Sequence, residues 1–141
     1  LEELRARWPG ALLIEDAAAL APSIHEVDRR MRGLLPASRL GVVLKGSELR
    51  LTVWTALLAL GPGDVLSYSE LAERVGAPRA VRAVASCVAD NPIGWLIPCH
   101  RVIQKSGAVG DYHWTPSRKQ ILLASEHCAR PTGEGRATAA G

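Results

Sequence analysis

Residues 67–89, "SYSELAERVGAPRAVRAVASCVA", contain the clearest structural signal of the sequence. Ser67 and Glu70 have the spacing of a capping box, in which the hydroxyl accepts a backbone N–H and the carboxylate reaches back to the N-cap. Gly76 ends this first helix, "GAP" forms a turn, and "RAVRAVASCVA" begins a second helix. Two short helices joined by a tight glycine-containing turn predict a helix-turn-helix unit.

The second helix of this unit has features of a DNA-contacting surface. Arg79 and Arg82 are i,i+3 neighbours on one predicted face. Ala83, Ala85 and Ser86 are small, as a helix lying against a DNA groove requires. The same pattern also describes a solvated arginine face over an Ala/Val core stripe, and paired helices occur in ordinary bundles. The pattern alone leaves DNA binding and plain packing both open.

The residues before this unit predict three helices and two strands. "SELRLTVWTALLAL" is a long helix with Ser47 as its N-cap, and "LEELRARW" is a short one. "APSIHEVDRRMRGLL" predicts a helix that starts at Pro22-Ser23 and ends at Pro36. "ALLIE" and "LGVVLKG" predict short buried strands. We place a domain boundary near residues 44–47, where the composition changes.

The residues after the unit include a buried strand-like run, a glycine-bearing loop and a last helix. "IGWLI" is the strand-like run, and it leads directly into "PCHRV". "TPSRKQILLASE" predicts the final helix, with Pro116 in its first turn. Residues 129–141 are rich in Gly, Ala, Thr and Pro, and we expect them to be a disordered tail.

The composition indicates a soluble globular protein and argues against a membrane-spanning or secreted one. The chain has 141 residues, of which 48% are hydrophobic and 22% charged, as in soluble globular domains. No apolar run approaches the roughly 20 residues that span a membrane, and no signal peptide is visible. Three cysteines without CxxC spacing indicate a reducing, cytoplasmic compartment and no structural zinc. The net charge of +3 is compatible with nucleic acid.

The segment "LIPCHRV", residues 96–102, contains the candidate nucleophile, Cys99. Nucleophilic sulfur is a thiolate, and a nearby base or positive charge lowers the thiol pKa from about 8.5. His100 is adjacent, but neighbouring side chains of a strand point to opposite faces, so contact requires a bend or a bridging water. Pro98 favours a bend. A carboxylate is still needed to orient the imidazole, and a buried core cysteine remains the alternative.

The hexamer "IPCHRV" resembles the signature of the O6-alkylguanine-DNA alkyltransferases, which are suicide DNA-repair proteins. The similarity extends over residues 53–126 and includes Asn91-Pro92 and an upstream Arg-Ala-Val. "GDYHW…SRK" is most similar to the bacterial adaptive-response (Ada-type) branch.

The resemblance implies an α/β fold class with two domains. Residues 1–45 would form a small, truncated ribonuclease-H-like α/β domain, here incomplete because the chain starts at its first helix. Residues 46–128 would form a mainly helical winged helix-turn-helix domain that binds DNA and carries the catalytic residues.

The resemblance also implies the catalytic roles. Cys99 would be the nucleophile and permanent alkyl acceptor, and His100 would act as its base through a bridging water. Glu126 would supply the missing carboxylate that orients His100. Asn91 would tie the helix-turn-helix to the active-site loop through side-chain hydrogen bonds. Tyr68 would rotate the 3′ phosphate and give a proton to the leaving guanine.

The remaining implied roles concern DNA and the base pocket. Arg82 would enter the duplex in place of the flipped nucleotide. Further DNA contacts are expected from Tyr68, Arg79, Ala83, Ser86 and Arg101. The alkylguanine pocket would be formed by Tyr112, by the backbone around Val102 and His113, and by Trp95.

Several positions depart from the family pattern. Asp111 replaces a common Gly and puts a negative charge near the pocket. His113 stands where Ada-type members often have Arg, and Thr115 replaces a Gly. Ala85-Ser86 is bulkier than the frequent Gly-Gly pair. These changes affect the expected substrate range and DNA affinity more than the reaction.

The predicted function is DNA repair by direct, stoichiometric transfer of the alkyl group from O6-alkylguanine, and also O4-alkylthymine, to Cys99. The predicted partner is double-stranded DNA carrying the adduct, and the protein is expected to be a cytoplasmic, nucleoid-associated monomer with no cofactor and no metal. The alternatives are a non-reacting alkylguanine-recognition module or a regulatory domain of a longer Ada-type protein. The retained Cys99, His100 and Glu126 argue against the non-reacting module, whose known members have Trp at the cysteine position.

Overall fold

The computed structural model describes residues 1–34 and 38–128. The chain divides into two compact units, Leu1–Val43 and Leu44–Gly141. The expected disordered tail and the predicted helix end at Pro36 lie outside the described residues. The assignment of residues 46–128 to one DNA-binding and catalytic domain stays a prediction.

The first unit is helical in its described residues. Helix α1 spans Glu2–Arg7 and helix α2 spans Ala17–Met31. Helix α2 starts before the predicted Pro22, because Asp16 is its N-cap and accepts the Ala19 N–H at 2.9 Å. Pro22 therefore lies inside the helix.

The two predicted strands of the N-terminal region are absent from the described residues. Residues 11–15 and 40–46 have no strand structure. A strand exists only where a second segment pairs with its backbone, and the described part of this unit supplies no such segment. The described residues of this unit contain helices only. The assignment of residues 1–45 to an α/β domain stays a prediction.

The second unit contains four helices, one 3₁₀ turn and a two-stranded sheet in its described residues. In chain order these are α3 Glu48–Leu58, β1 Leu66–Ser67, α4 Tyr68–Arg74, α5 Val81–Ala89, the 3₁₀ turn Cys99–Arg101, β2 Val102–Ile103 and α6 Pro116–Cys128. The strands are parallel, with Leu66 opposite Val102 and Ser67 opposite Ile103. Ser47 caps α3, and Pro116 is the first residue of α6, as predicted.

Helices α4 and α5 follow one another through a short turn. The capping box at the start of α4 is confirmed: the Glu70 N–H donates to Ser67 Oγ at 3.2 Å, and the Ser67 N–H donates to Glu70 Oε2 at 2.7 Å. The turn is closed by the Ala80 N–H, which donates to the Ala77 carbonyl at 2.9 Å. Arg79 lies inside this turn and not on α5, so the expected helical pairing of Arg79 with Arg82 was wrong.

The apolar core belongs to the second unit. Trp54 of α3 is almost fully buried, and its indole N–H donates to the Cys87 carbonyl of α5 at 2.8 Å. This bond fixes α3 against α5, as buried indoles need a polar partner. The buried core residues are Val53, Trp54, Leu57, Leu60, Leu71, Ala72, Val84, Cys87, Val88, Ile97, Cys99 and Val102.

Residues 93–97 form turns and not the predicted strand, so the chain enters Cys99 from a bend. Asn91 accounts for the bend, because its side-chain oxygen accepts the Ile93 N–H at 3.0 Å and its side-chain N–H donates to the Ile97 carbonyl at 2.8 Å. Among the described residues, no helix is both long enough and apolar enough to cross a membrane.

Candidate active site

A cleft of about 500 Å³ opens above the Cys99 sulfur. Its volume lies within the range of small-molecule sites. The lining comes from α4, α5, the 3₁₀ turn and the segment from residue 104 to 119. The lining residues are Tyr68, Ala85, Val88, Ala89, Cys99, Gln104, Gly110, Asp111, Tyr112, His113 and Lys119.

Asn91 holds the sulfur in position. Its side chain is buried, and its Nδ2 lies 2.9 Å from Cys99 Sγ as well as bonding to the Ile97 carbonyl. One amide group therefore determines both the path of the chain before Cys99 and the place of the sulfur. Its position beside the end of α5 links that helix to the reactive segment.

The 3₁₀ turn directs its first side chain to the cleft and the next two to Glu126 on α6. A 3₁₀ helix has three residues per turn, so successive side chains are rotated by about 120°. Cys99 faces the cleft, whereas His100 and Arg101 reach Glu126 on α6. The bend predicted from Pro98 is present, since Pro98 is the N-cap of this turn.

Glu126 is the acceptor at the centre of a polar network. It accepts from His100 Nε2 at 2.9 Å, from Arg101 Nη2 at 2.6 Å and Nε at 2.9 Å, and from the Gly63 N–H at 3.2 Å. Burial acts to raise the pKa of Glu126, but the hydrogen bonds from Arg101, His100 and Gly63 outweigh it and hold the pKa at about 2. Glu126 is therefore a carboxylate at neutral pH, and His100 Nε2 is the donor to it.

This arrangement leaves His100 Nδ1 as the acceptor nitrogen of the ring. His100 is completely buried, and within the described part of the chain Nδ1 has no hydrogen-bond partner. Burial lowers the pKa of His100, although the hydrogen bond to Glu126 opposes the shift. The imidazole is therefore neutral at pH 7 and able to accept a proton at Nδ1.

The Cys99 thiol is protonated at rest. Burial raises its pKa, while hydrogen bonds from Asn91 and Tyr112 and the positive charge of Lys119 act in the opposite direction. The thiol at rest is thus not a free thiolate. Reaction of this sulfur requires a base at the moment of attack.

Lys119 was missed in the sequence. It is 99% buried, lines the cleft, and holds its Nζ 5.9 Å from the centre of the Tyr112 ring. Burial lowers the pKa of Lys119, and the Cys99 and Asp111 charges raise it again. Its signal was helical spacing: Lys119 precedes Glu126 by seven residues, two turns of α6, so both share one face.

The exposed edge of the cleft contains the loop residues that depart from the family pattern. Asp111 and His113 are exposed and line the cleft together with the half-buried Tyr112.

Burial, the Cys99 charge and the Asp111 charge all raise the pKa of Tyr68, so its hydroxyl stays protonated.

Of the predicted pocket residues, Val102 was named for its backbone, and that role stays a prediction, whereas Trp95 lies elsewhere. The Val102 side chain is fully buried in the core, and Val102 pairs with Leu66 in the sheet. Trp95 lines a separate groove of about 240 Å³ together with Trp114 and Arg118. These positions follow from packing, because an apolar strand residue is more stable in the core than beside a polar cleft.

The residues predicted to contact DNA divide into two groups. Arg82, Ala83 and Ser86 are exposed on α5, and Arg79 is exposed in the preceding turn. Arg101 was predicted with them, but it is 92% buried and its guanidinium is held by Glu126 and by the Leu60 carbonyl. That assignment is corrected: an arginine so enclosed serves the Glu126 network and is not placed to contact phosphate.

Comparison with known proteins identifies the family. The family "6-O-methylguanine DNA methyltransferase, DNA binding domain" matches residues 48–128. The chain belongs to this family. The match covers every element from α3 to α6 and therefore the whole cleft described above.

Individual members of the family are similar over most of the chain. The inducible methylated-DNA–protein-cysteine methyltransferase of Bacillus subtilis is 37% identical over 130 residues, covering 89% of this chain and 73% of the relative. The bifunctional transcriptional activator/DNA repair enzyme Ada of Escherichia coli is 43% identical over 126 residues, covering 89% of this chain and 36% of Ada. The structure of Mycobacterium tuberculosis OGT in complex with DNA has a TM-score of 0.72 at 35% identity, covering 79% and 70% of the two chains.

Proposed function

We propose that this protein repairs DNA by moving the alkyl group of O6-alkylguanine, and of O4-alkylthymine, directly onto Cys99. The observation that carries the proposal is the sulfur at the base of the cleft, positioned by Asn91 next to the His100–Glu126 pair, in a chain of the methylguanine methyltransferase family. The product is a thioether, which the network has no means to cleave. Each chain therefore reacts once.

The proposed base is His100. The raised pKa of Cys99 keeps the sulfur protonated, so attack needs a proton acceptor. His100 Nδ1 is buried and unpartnered within the described residues, and a bridging water between it and Sγ completes the path. Glu126 fixes the Nε2–H tautomer and stabilises the imidazolium that forms.

The proposed reaction is a displacement at the alkyl carbon. The Sγ–carbon bond forms while the carbon–O6 bond breaks, and the electron pair of that bond stays on the guanine. The Tyr68 hydroxyl, whose raised pKa keeps it protonated, donates a proton toward the departing base. The buried Lys119 ammonium stabilises the developing thiolate.

The proposed DNA-binding element is the pair α4 and α5, with the DNA-facing surface formed by Arg79, Arg82, Ala83 and Ser86. The exposure of all four residues supports this assignment. O6 of guanine lies inside the duplex, so the nucleotide has to be flipped out, and a badly paired alkylated base costs least to extrude. Arg82 is proposed to fill the space that the base leaves.

The finer features of the fold are part of the same proposal. We assign residues 46–128 as a winged helix-turn-helix domain and residues 1–45 as an incomplete ribonuclease-H-like domain. The protein acts as a monomer on chromosomal DNA in the bacterial cytoplasm. The second compact unit contains the buried apolar core described above, which supports its assignment as a domain.

The test is the intact mass of the protein after incubation with a duplex carrying one O6-methylguanine. We expect the mass to increase by one methyl group, with an unmodified duplex as the control. A Cys99→Ser variant should bind the duplex without any increase in mass. Binding by the wild type with no change in mass would instead identify a recognition module that does not react.

A further inference from the structure

Asp111 places a negative charge at the cleft, and its own side chain takes no direct part in the proposed transfer. It follows Gly110, whose φ is +70°, and its exposed side chain lines the same cleft as Cys99. Its charge acts on Tyr68 and on Lys119, which lie on different elements of the site. An acidic group in the cleft lining adds its charge to the space that a substituent would enter.

The charge of the reactive site depends on Asp111. Lys119 contributes one positive charge from its buried position, and the Cys99 thiolate formed during attack contributes one negative charge beside it. His100, which is outside the cleft lining, takes up the thiol proton. Tyr68 and Tyr112 are uncharged because the pKa of each hydroxyl is raised by burial. Asp111 is the only carboxylate among the described residues that line the cleft, so a negatively charged substituent in the cleft meets its charge there.

We propose that Asp111 makes the cleft selective for charge, disfavouring O6 adducts that carry a negative charge relative to neutral adducts of the same size. O6-carboxymethylguanine is the simplest such anionic adduct, and its amide, O6-carbamoylmethylguanine, is the neutral counterpart. The proposal rests on the proposed alkyl transfer to Cys99. It concerns which substituents the site accepts, and leaves the reaction itself unchanged.

The two transfers are chemically equivalent apart from the charge. In each, Cys99 Sγ bonds to the CH₂ carbon as the CH₂–O6 bond breaks, the electron pair remains on guanine, and one proton neutralises the departing base. The carboxylate or the amide stays on the transferred group. At separations of several ångströms in a solvated cleft, one like charge changes the relative rate by about 3- to 10-fold.

The experiment is a competition between two duplexes of identical sequence, one with the carboxymethyl adduct and one with the carbamoylmethyl adduct. Both are offered in excess to wild type and to Asp111→Asn, and the masses of the two protein adducts give the rate ratio. The ratio within one reaction cancels any difference in DNA affinity between the protein variants that affects both duplexes equally. Glu73→Gln, which removes an exposed charge from α4 outside the cleft lining, is the matched control. The reactions are run at pH 8, where imidazole side chains are generally neutral.

We expect Asp111→Asn to raise the ratio of carboxymethyl to carbamoylmethyl transfer by about 3- to 10-fold. Glu73→Gln should leave this ratio within about 1.5-fold of the wild-type value. Asp111→Ser should reproduce the change, and added salt should reduce it. An unchanged ratio in Asp111→Asn, with methyl transfer intact, would overturn the charge selectivity and leave the proposed function standing. Absence of any transfer from O6-methylguanine by the wild type would overturn both.

Discussion

The base and the edge of the cleft are built in opposite ways. The base consists of the buried Cys99 and Lys119, and behind Cys99 lies a polar network of the buried Asn91, His100 and Arg101 and the half-buried Glu126. The edge consists of the exposed polar residues Gln104, Asp111 and His113. The base is fixed by hydrogen bonds between distant parts of the chain, whereas the edge is a solvent-facing loop.

This difference separates reaction from selectivity. A change at the base leaves a buried donor or charge without its partner, so it costs both rate and stability. A change at the edge alters the groups that contact a substituent in the cleft, and it leaves the fold intact.

The largest effect is expected from replacing the sulfur. Cys99→Ser should reduce methyl transfer by at least about a thousand-fold, because a serine hydroxyl is a far weaker nucleophile than a thiolate at neutral pH. Binding to the O6-methylguanine duplex, measured by fluorescence anisotropy, should stay within a few-fold of wild type. Substantial residual transfer by Cys99→Ser would contradict Cys99 as the acceptor.

The next effect is expected at the centre of the network. Glu126→Gln leaves the buried Arg101 guanidinium without its counter-charge and His100 without its carboxylate. We expect a loss of about 3–5 kcal/mol in the free energy of unfolding and a loss of about 100-fold in transfer rate. Urea unfolding and single-turnover kinetics measure the two, with Glu73→Gln as the exposed control. A stable variant with full activity would show that the network is dispensable.

Lowering the pH should destabilise the folded protein through Glu126 and His100. The pKa of Glu126 is lowered to about 2, so its contribution is complete above its ordinary pKa of 4.5 and is lost as the pH falls toward 2. The lowered pKa of buried His100 acts in the same direction below pH 6.5. The free energy of unfolding, measured by urea titration, should fall progressively from pH 6.5 to pH 2. A flat profile would contradict the buried carboxylate and the neutral imidazole.

These groups also mark what the sequence could and could not predict. Ser47, the Ser67–Glu70 capping box and Pro116 act on neighbouring residues, so the sequence locates those helix starts. Arg101 was misassigned because its partner Glu126 lies 25 residues further along the chain.

Burial and pairing were harder to predict. Lys119 was missed because lysine is rarely buried, and only packing removes it from solvent. The N-terminal strands were wrong because an apolar run becomes a strand only when another segment pairs with it. The turn at Cys99 depends on Asn91, eight residues away, which local propensity does not reveal.

A smaller and more selective effect is expected on α5. Arg82→Ala should reduce transfer from duplex DNA by about ten-fold, because the flipped-out state loses the side chain proposed to replace the base. Arg79→Ala, in the turn before the helix, is the matched control and should weaken binding without this loss. The measurement compares single-turnover transfer with non-specific duplex binding. Equal losses of transfer and binding in Arg82→Ala would contradict its role in the flipped state.

The alkyl group is proposed to go to the buried sulfur of Cys99. The described residues include three free cysteines, of which Cys128 is exposed and Cys87 and Cys99 are buried. The most direct measurement is peptide mapping by tandem mass spectrometry after reaction with an O6-methylguanine duplex. The account predicts one methyl group per chain, on Cys99 alone. A methyl group on Cys128 or Cys87, or no methylated peptide, would contradict it.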